Sequence, residues 1–280
     1  MRPSRVIEPG SVVAADDTAE TRGPGGIARA LQPVTDVFES LGTQLIISLQ
    51  ALAWMIRPPY RLGQLFLAMD FIGVQSIFIV SLTGVFSGMV LALQTVNSLR
   101  TFGAEGVVGS VVAISLTREI SPVFAALMVT ARAGSAMAAE LGNMRVTEQI
   151  DALVTMGVSP VQYLLSPRVL ASVLMVPLLC ILYSCVGMAG AWLVAVRGLG
   201  VDPGIFVANI EHYMVPHDFY MGEVKAAVFG FLIANISCRQ GFFASGGARG
   251  VGQATTRAVV QSAVAILIAN YIITSLMTKL

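Results

Sequence analysis

The sequence predicts an all-α integral membrane protein: five transmembrane helices, an N-terminal interfacial helix, a cytoplasmic helix between spans 2 and 3, and an outer-side helix between spans 3 and 4. Of its 280 residues, 55% are hydrophobic and only 12% are charged, whereas soluble domains carry about 25% charged residues. The mean hydropathy is +0.78. Five apolar runs approach the ~20 residues that a helix needs to cross a bilayer. The net charge of +1 gives no indication of nucleic-acid binding.

The N-terminal part is predicted to stay outside the bilayer. Residues 1–30 contain Pro, Gly and the acids Asp16, Asp17 and Glu20, a composition typical of a disordered tail. We expect no cleavable secretion signal and no organelle transit peptide, which is usually poor in acids. The apolar run from Leu45 to Ile56 is too short to cross and is predicted to be an interfacial helix. A re-entrant half-span is the alternative.

The five predicted spans lie at about residues 71–99, 107–139, 167–196, 219–239 and 257–278. The second is interrupted by Arg118 and Glu119, and the third contains Pro177, which a membrane helix tolerates as a kink. The fourth reaches spanning length only if Glu223 and Lys225 lie within it or near its outer end. It is accepted because the distribution of arginines requires an odd number of spans.

Basic residues predict the orientation, since cytoplasmic loops carry the excess of Arg and Lys. On one side are the N-terminal flank, a loop from Arg132 to Arg168 and a loop from Arg239 to Arg257; the flank contributes Arg29, Arg57 and Arg61. The other side has only Arg100, Arg197 and Lys279. We therefore expect a cytoplasmic N-terminus and a C-terminus outside.

Arg118 and Glu119 are costly at membrane depth, at about 2.5–3.5 kcal/mol for one charge at a helix centre. Sequence neighbours point in different directions on a helix, so each needs a partner from elsewhere. We predict that Lys225 pairs with Glu119 and Glu223 with Arg118, in a polar cluster at a substrate cavity or protomer interface. The alternative is a shifted second span with these charges at the membrane surface.

The stretch NMRVTEQIDALVTMGVSP, residues 143–160, predicts a short amphipathic helix between spans 2 and 3. Its apolar residues fall on one helical face; they are Val146, Ile150, Leu153 and Val154. Thr147 is the predicted N-cap, and Gly157 followed by Pro160 ends the helix. The residues alone leave open whether it docks on a soluble partner or lies on lipid.

GGARGVGQATT, from Gly246 to Thr256, has the glycine spacing of a phosphate-binding loop. Such a loop follows a strand and ends in GK[ST], whereas Gln253 and Ala254 stand here and a membrane span precedes. We therefore predict a loop that does not hydrolyse nucleotide.

Other reactive residues are predicted to be structural. His212 and His217 fall on different helix faces, which disfavours a metal site. Cys180, Cys185 and Cys238 are predicted to be small buried hydrophobes. Gly84 and Gly88, and the small residues of 133–142, predict close helix packing. The chain lacks HExxH and GxSxG, which disfavours an intramembrane enzyme, so no catalytic residue is assigned.

Residues 116–168 and the C-terminal tail carry a family pattern. AGSA, AELG, MRVTEQIDAL and MGV follow one another in the first stretch, and the tail reads GGARGVGQATTRAVVQSAVAILIANYIITSLM. Together they resemble the MlaE/YrbE family of permeases, the membrane subunits of Mla- and Mce-type lipid-transport ABC systems. The resemblance covers roughly residues 40–280 and implies a permease domain at 31–280.

The resemblance implies a homodimer, or a pair with a close homologue, in a bacterial inner membrane. Two cytoplasmic ATPase subunits would carry ATP and Mg²⁺, while this chain binds no cofactor, and MCE-domain proteins would lie outside. The amphipathic helix becomes the coupling helix to the ATPase; its residues are Arg145, Thr147, Glu148, Gln149, Asp151 and Met156. The central-cavity charges are Arg118, Glu119 and Lys225, with Asn270 where some relatives carry an acid.

In the expected mechanism, ATP closes the ATPase dimer and the coupling helices transmit the movement. The cavity is squeezed, and a phospholipid-like molecule passes between the inner membrane and the MCE assembly, contributing to outer-envelope lipid homeostasis. The alternative function is an ion-coupled secondary transporter that uses Arg118, Glu119 and Lys225 as a relay. The direction of transport and the lipid identity stay open.

Overall fold

The computed structural model describes residues 62–277 and is all-helical over that part of the chain. Five helical rods are long and apolar enough to cross a membrane: Leu62–Arg100, Glu105–Val146, Val161–Gly198, Pro216–Phe242 and Gly247–Met277. Each of the first four encloses the span predicted for it, and the last covers its predicted span as far as Met277. The predicted tail and interfacial helix lie outside the described residues.

Short changes of helical pitch divide the rods into α-helices. In chain order these are α1 (Leu62–Ile72), α2 (Ile77–Arg100), α3 (Val108–Ser115), α4 (Ser121–Val129), α5 (Ser135–Val146), α6 (Gln149–Thr155), α7 (Ser166–Trp192), α8 (Pro203–Tyr213), α9 (Pro216–Phe242) and α10 (Gly247–Met277). Single 3₁₀ turns lie at Val74–Ser76 and Glu105–Val107, and π-helical turns at Leu116–Ile120, Thr130–Gly134, Val161–Leu165 and Leu193–Gly198. The predicted helix between spans 3 and 4 is α8.

The centre of the bundle is formed by α7, which packs against α1, α2, α4 and α9. Its Tyr183 is fully buried in the main apolar core, together with Met137, Phe229 and Ile233. A smaller core at one end joins Val108 and Val112 to Phe206 of α8. The rods are thus one packed unit, with α8 closing one end.

The fourth and fifth rods differ in burial. In the fourth, 61% of the most apolar 18-residue window is buried inside the protein, against 11% in the fifth. A helix surrounded by protein needs fewer apolar residues than one facing lipid, because its polar groups can find protein partners. This explains why the fourth span is weak in the sequence.

Glycines bring α2 and α7 into backbone contact. A Cβ on Gly88 would overlap the backbone of Gly187, and one on Gly84 would meet Tyr183 and Val186. A Cβ on Gly241 of α9 would lie 2.6 Å from the carbonyl oxygen of Ala138 in α5. The predicted packing role of these small residues is confirmed.

Two predicted loops are wrong. The second rod runs on to Val146 and the third starts at Val161, so Arg132 lies inside a rod and only residues 147–160 connect the two. The glycine-rich stretch also is no loop, because α10 begins at Gly247. Its first turns are helical since they pack on α5, where Gly142 leaves room for Val251.

The three cysteines are free thiols, as predicted, but they do not share one environment. Cys180 and Cys238 are buried, as predicted. Cys185 is exposed, because it lies on the side of α7 that no other described helix covers. An apolar run in a membrane helix does not show which residues face protein and which face lipid.

Candidate functional site

A π-helical turn at Leu116–Ile120 carries Arg118 and Glu119 inside the second rod. Pro122 follows it and has no N–H to donate to the carbonyl of Arg118 four residues earlier. The ammonium of Lys225, in α9, donates to that carbonyl oxygen at 2.9 Å. Lys225 thus supplies a hydrogen bond where the helix cannot, which ties α9 to the irregular part of the second rod.

Glu119 collects three donors from two other helices. Lys225 Nζ lies 2.8 Å from its Oε1, Asn270 Nδ2 lies 3.3 Å from its Oε2, and Thr274 Oγ1 lies 3.3 Å from the same oxygen. The Lys225 side chain is fully buried, whereas 39% of the Glu119 side chain is exposed. The predicted pairing of Lys225 with Glu119 is present, and Asn270 joins them.

Arg118 points toward the start of α9. Its Nη1 lies 3.5 Å from Asp218 Oδ1, and its Nη2 lies 3.6 Å from Met221 Sδ. The other carboxylate oxygen of Asp218 accepts from the backbone N–H of Val215 at 3.1 Å and so caps α9. Asp218 is almost fully buried, and its carboxylate is held by the Arg118 guanidinium and the Val215 N–H.

The predicted pairing of Arg118 with Glu223 is wrong. Glu223 lies beside Cys180 of α7, and its Oε2 is buried with no hydrogen-bond partner among the described residues. Asp218 and Glu223 are five residues apart, so they lie on different faces of α9. Asp218 is the third residue of α9, two positions after Pro216, and an acid in the first turn of a helix is the sequence signal for this capping role.

Taken together, Arg118, Glu119, Asp218 and Lys225 form the charge cluster, whose two cations balance two anions. Pairing of this kind offsets the cost of taking the charges out of water. Asn270 and Thr274 are one helical turn apart on α10, so both reach Glu119. The sequence analysis did not predict the contact of Thr274 with Glu119. The signal that could have found it is a polar residue four positions after Asn270 in an apolar helix.

The connection between the second and third rods forms the elbow, residues 147–160 with helix α6. Thr147 is not the N-cap that was predicted: its hydroxyl donates to the Asn143 carbonyl at 2.8 Å, and it ends α5. Glu148 is the residue before α6, with φ 59°, the one non-glycine positive φ among the described residues. Val146, predicted to lie on the apolar face of the short helix, also belongs to α5. Both differences arise because the second rod continues beyond its predicted end at residue 139.

The other end of α6 matches the prediction. Gly157 has φ 72°, its N–H donates to the Val154 carbonyl at 2.9 Å, and the N–H of Val158 donates to the Leu153 carbonyl at 3.0 Å. These two bonds form a Schellman motif, which terminates a helix. Arg145 of α5 also reaches Asp151 of α6 at 2.6 Å, so the elbow has a defined shape.

The elbow buries only part of its surface. Ile150 is fully buried and anchors α6 to the core. Thr147, Glu148 and Gln149 are exposed, and Met156 is 67% exposed. Of the predicted coupling residues, Thr147, Glu148, Gln149 and Met156 are therefore exposed on the elbow, whereas Arg145 belongs to α5 and Asp151 is half-buried.

Arginines are concentrated at the end of the bundle that carries the elbow. They are Arg145, Arg168, Arg239, Arg249 and Arg257, against Arg100 and Arg197 at the opposite end. Arg168 Nη2 pairs with Glu140 at 2.8 Å. The charge cluster lies in the opposite half, since Asn270 and Thr274 are close to the end of α10.

Residues 65–276 match the family Permease MlaE. The chain is 44% identical over 241 residues to a probable ABC transporter permease protein of Rickettsia felis, which covers 86% of this chain and 93% of the relative. It is 37% identical over 245 residues to the intermembrane phospholipid transport system permease protein MlaE of Haemophilus influenzae, which covers 87% and 94%. Protein TRIGALACTOSYLDIACYLGLYCEROL 1, chloroplastic, of Arabidopsis thaliana is 40% identical over 203 residues, which make up 72% of this chain and 58% of the relative.

The family match extends over the rods, the charge cluster and the elbow alike. The chain is a multi-pass membrane protein, and its relatives are named as permeases. It therefore belongs to the MlaE family of ABC transporter permeases.

Proposed function

We propose that this chain is the membrane subunit of an ATP-driven transporter that moves phospholipid-like molecules between the inner membrane and an MCE-protein assembly, and so contributes to lipid homeostasis of the outer envelope. The observation that carries the proposal is the similarity over almost the whole chain to a permease named for intermembrane phospholipid transport. The fold supplies the two parts that such a subunit needs: a bundle of membrane helices and an exposed elbow.

The elbow is the proposed contact with the ATPase. An element that transmits force must be exposed toward its partner and fixed to the bundle behind it. The elbow meets both conditions: Glu148, Gln149 and Met156 are exposed, while Ile150 and the Arg145–Asp151 ion pair hold it to the protein. ATP and Mg²⁺ would be bound by the partner ATPase, and this chain would bind no cofactor.

The charge cluster is proposed to line a central cavity between two copies of the chain. Arg118 and Glu119 keep 31% and 39% of their side chains exposed, so both can reach a headgroup on that side. Lys225 and Asp218 are buried behind them and hold them in place. No residue is required to make or break a covalent bond; closing the ATPase would change the shape of the cavity.

The arginines support an orientation. Arg145, Arg168, Arg239, Arg249 and Arg257 would face the cytoplasm under the positive-inside rule. The N-terminus would then be cytoplasmic, the C-terminus periplasmic, and α8 would lie on the periplasmic side, where the MCE-domain proteins would assemble.

A site-specific crosslink tests the proposed assembly. A photoreactive residue at Met156 should crosslink to the ATPase in native membranes, and the same residue at Phe102, at the opposite end, should not. Purification of the complex should recover the ATPase, MCE-domain subunits and a second copy of this chain. Crosslinks from Met156 to lipid alone would contradict the docking role.

A further inference from the structure

The first turns of α10 carry a charged surface that the proposed transport cycle does not use. Arg249, Gly252, Gln253, Thr256 and Arg257 line a shallow depression of about 390 Å³, here called the α10 depression. It faces away from the bundle, since Ala254 and Ala258 on the other side of the helix are buried. It also lies apart from the charge cluster: Arg257 and Asn270 are separated by about 20 Å at 1.5 Å per residue.

The two arginines of the α10 depression have no acidic partner in the part of the chain that the structure describes. Within residues 62–277 neither Arg249 nor Arg257 has a carboxylate within ion-pairing distance, whereas Arg145 and Arg168, at the same end of the bundle, are paired with Asp151 and Glu140. An unpaired guanidinium presents several N–H donors in a planar array that suits phosphate oxygens. Gln253 lies between the arginines and adds a neutral donor, whereas the Thr256 hydroxyl donates to the Gly252 carbonyl at 3.1 Å.

The position of the depression along the membrane normal fits a lipid headgroup. The 31 residues of α10 make a rod of about 46 Å, longer than the ~30 Å hydrocarbon core of a bilayer. The uncharged part of the helix begins after Arg257. Arg249 and Gln253 therefore fall among the headgroups and Arg257 at the boundary of the core.

An apolar strip continues the same face of α10 into the core. Val260, Val264 and Leu267 are 56%, 51% and 55% exposed, and they follow Arg257 at helical spacing. A donor-rich depression above an exposed apolar strip matches the two parts of a phospholipid, its phosphate and its acyl chains. A free phosphate would have no use for the strip.

From these observations we propose that the α10 depression is a binding site for an anionic phospholipid of the leaflet at the elbow end, with Arg249 and Arg257 on its phosphate and its chains along Val260, Val264 and Leu267. Basic pockets at the membrane surface hold anionic headgroups in this way. The site goes beyond the proposed transport function, because it would hold lipid whether or not that lipid is transported.

The test is lipid retention by the purified chain, without any ATPase. The chain is placed in nanodiscs of phosphatidylcholine doped with phosphatidylglycerol, released, and examined by native mass spectrometry. We expect Arg249→Gln with Arg257→Gln to lower the affinity for phosphatidylglycerol at least about ten-fold. Arg249→Lys with Arg257→Lys should restore most of it, and Arg197→Gln, at the opposite end, should leave it unchanged.

Three outcomes would overturn the proposal. The first is equal retention by the Gln variant and the unmodified chain, when both are monodisperse. The second is full competition by inorganic phosphate, which would make the site an anion site with no role for acyl chains. The third is efficient disulfide crosslinking of Gln253→Cys to a second copy, which would make this face a protomer interface. None of these bears on ATP-driven transport, so the two proposals fail separately.

Discussion

The ammonium of Lys225 lies 2.8 Å from the carboxylate of Glu119 and 2.9 Å from the carbonyl oxygen of Arg118. One buried cation thus neutralises an acid and satisfies the backbone next to it, at the π-helical turn that precedes Pro122. The relationship makes Lys225 both a charge partner and a backbone partner. A substitution that removes the ammonium should therefore affect both the Glu119 carboxylate and the backbone at Arg118.

We predict that Lys225→Met destabilises the protein by about 2 kcal/mol. Breaking a buried ion pair costs roughly 3–5 kcal/mol, and the partial exposure of Glu119 reduces this. Thermal unfolding in nanodiscs measures the change. In the double variant Lys225→Met with Glu119→Gln, the loss should be smaller than the sum of the two single losses, because no unpaired carboxylate remains. Additive losses would mean that the two side chains are not coupled.

Asn270 and Thr274 should hold the end of α10 through Glu119. Thr274→Val removes one hydrogen bond to a charged group, worth about 1.5–3 kcal/mol at full burial and less here, because Glu119 is partly exposed. We expect faster amide hydrogen exchange in residues 266–277 and little change near Gly247. As a control, Thr256→Val alters the same type of residue at the other end of α10. If Thr274→Val changed the amide exchange rate equally along the whole of α10, a local role for Thr274 would be contradicted.

Gly88→Ala should destabilise the bundle by about 1–3 kcal/mol, the usual range for overpacking, because a Cβ there would overlap the backbone of Gly187. Gly63→Ala is the matched control. No atom of residues 62–277 lies within 4 Å of its added Cβ, so it should be neutral or stabilising by up to about 1 kcal/mol. Unfolding of the two variants, measured side by side, separates packing from helix propensity. Equal stabilities would refute the close contact of α2 with α7.

Glu148→Lys should uncouple ATP hydrolysis from lipid transport while the protein remains inserted. The side chain is exposed on the elbow, so the change reverses a charge toward the partner without disturbing the core. Glu148→Asn serves as a control for the backbone, since Asn tolerates the left-handed conformation that φ 59° requires. We expect near-normal stability in both variants and the larger loss of coupling in Glu148→Lys. Normal coupled transport in that variant would argue against docking at the elbow.

Much of the architecture could be predicted from the sequence because the signals are local. Apolar runs located the five rods, and the spacing of Gly84 and Gly88 indicated a close helix contact. The pairing of Lys225 with Glu119 followed from the cost of an unpaired charge at membrane depth. Family resemblance added the ATPase and the lipid, which no local pattern indicates.

The errors have two physical origins: the rotation of a helix about its axis, and helices that extend beyond their predicted ends. Asp218 and Glu223 were equally available to Arg118 by distance along α9, and only the packed structure shows that Asp218 faces it. The continuation of α5 through Val146 moved Thr147 from the start of one helix to the end of another. Packing against α5 likewise made the glycine-rich stretch helical.

The central claim is that a separate ATPase drives lipid movement through this bundle. The most direct measurement is phospholipid transfer in proteoliposomes that contain this chain with its ATPase and an MCE-domain acceptor. The account predicts transfer that needs ATP, stops when the ATPase is omitted, and does not respond to a proton gradient. Transfer against a concentration gradient by this chain alone, or driven by protons without the ATPase, would contradict it and would favour an ion-coupled transporter.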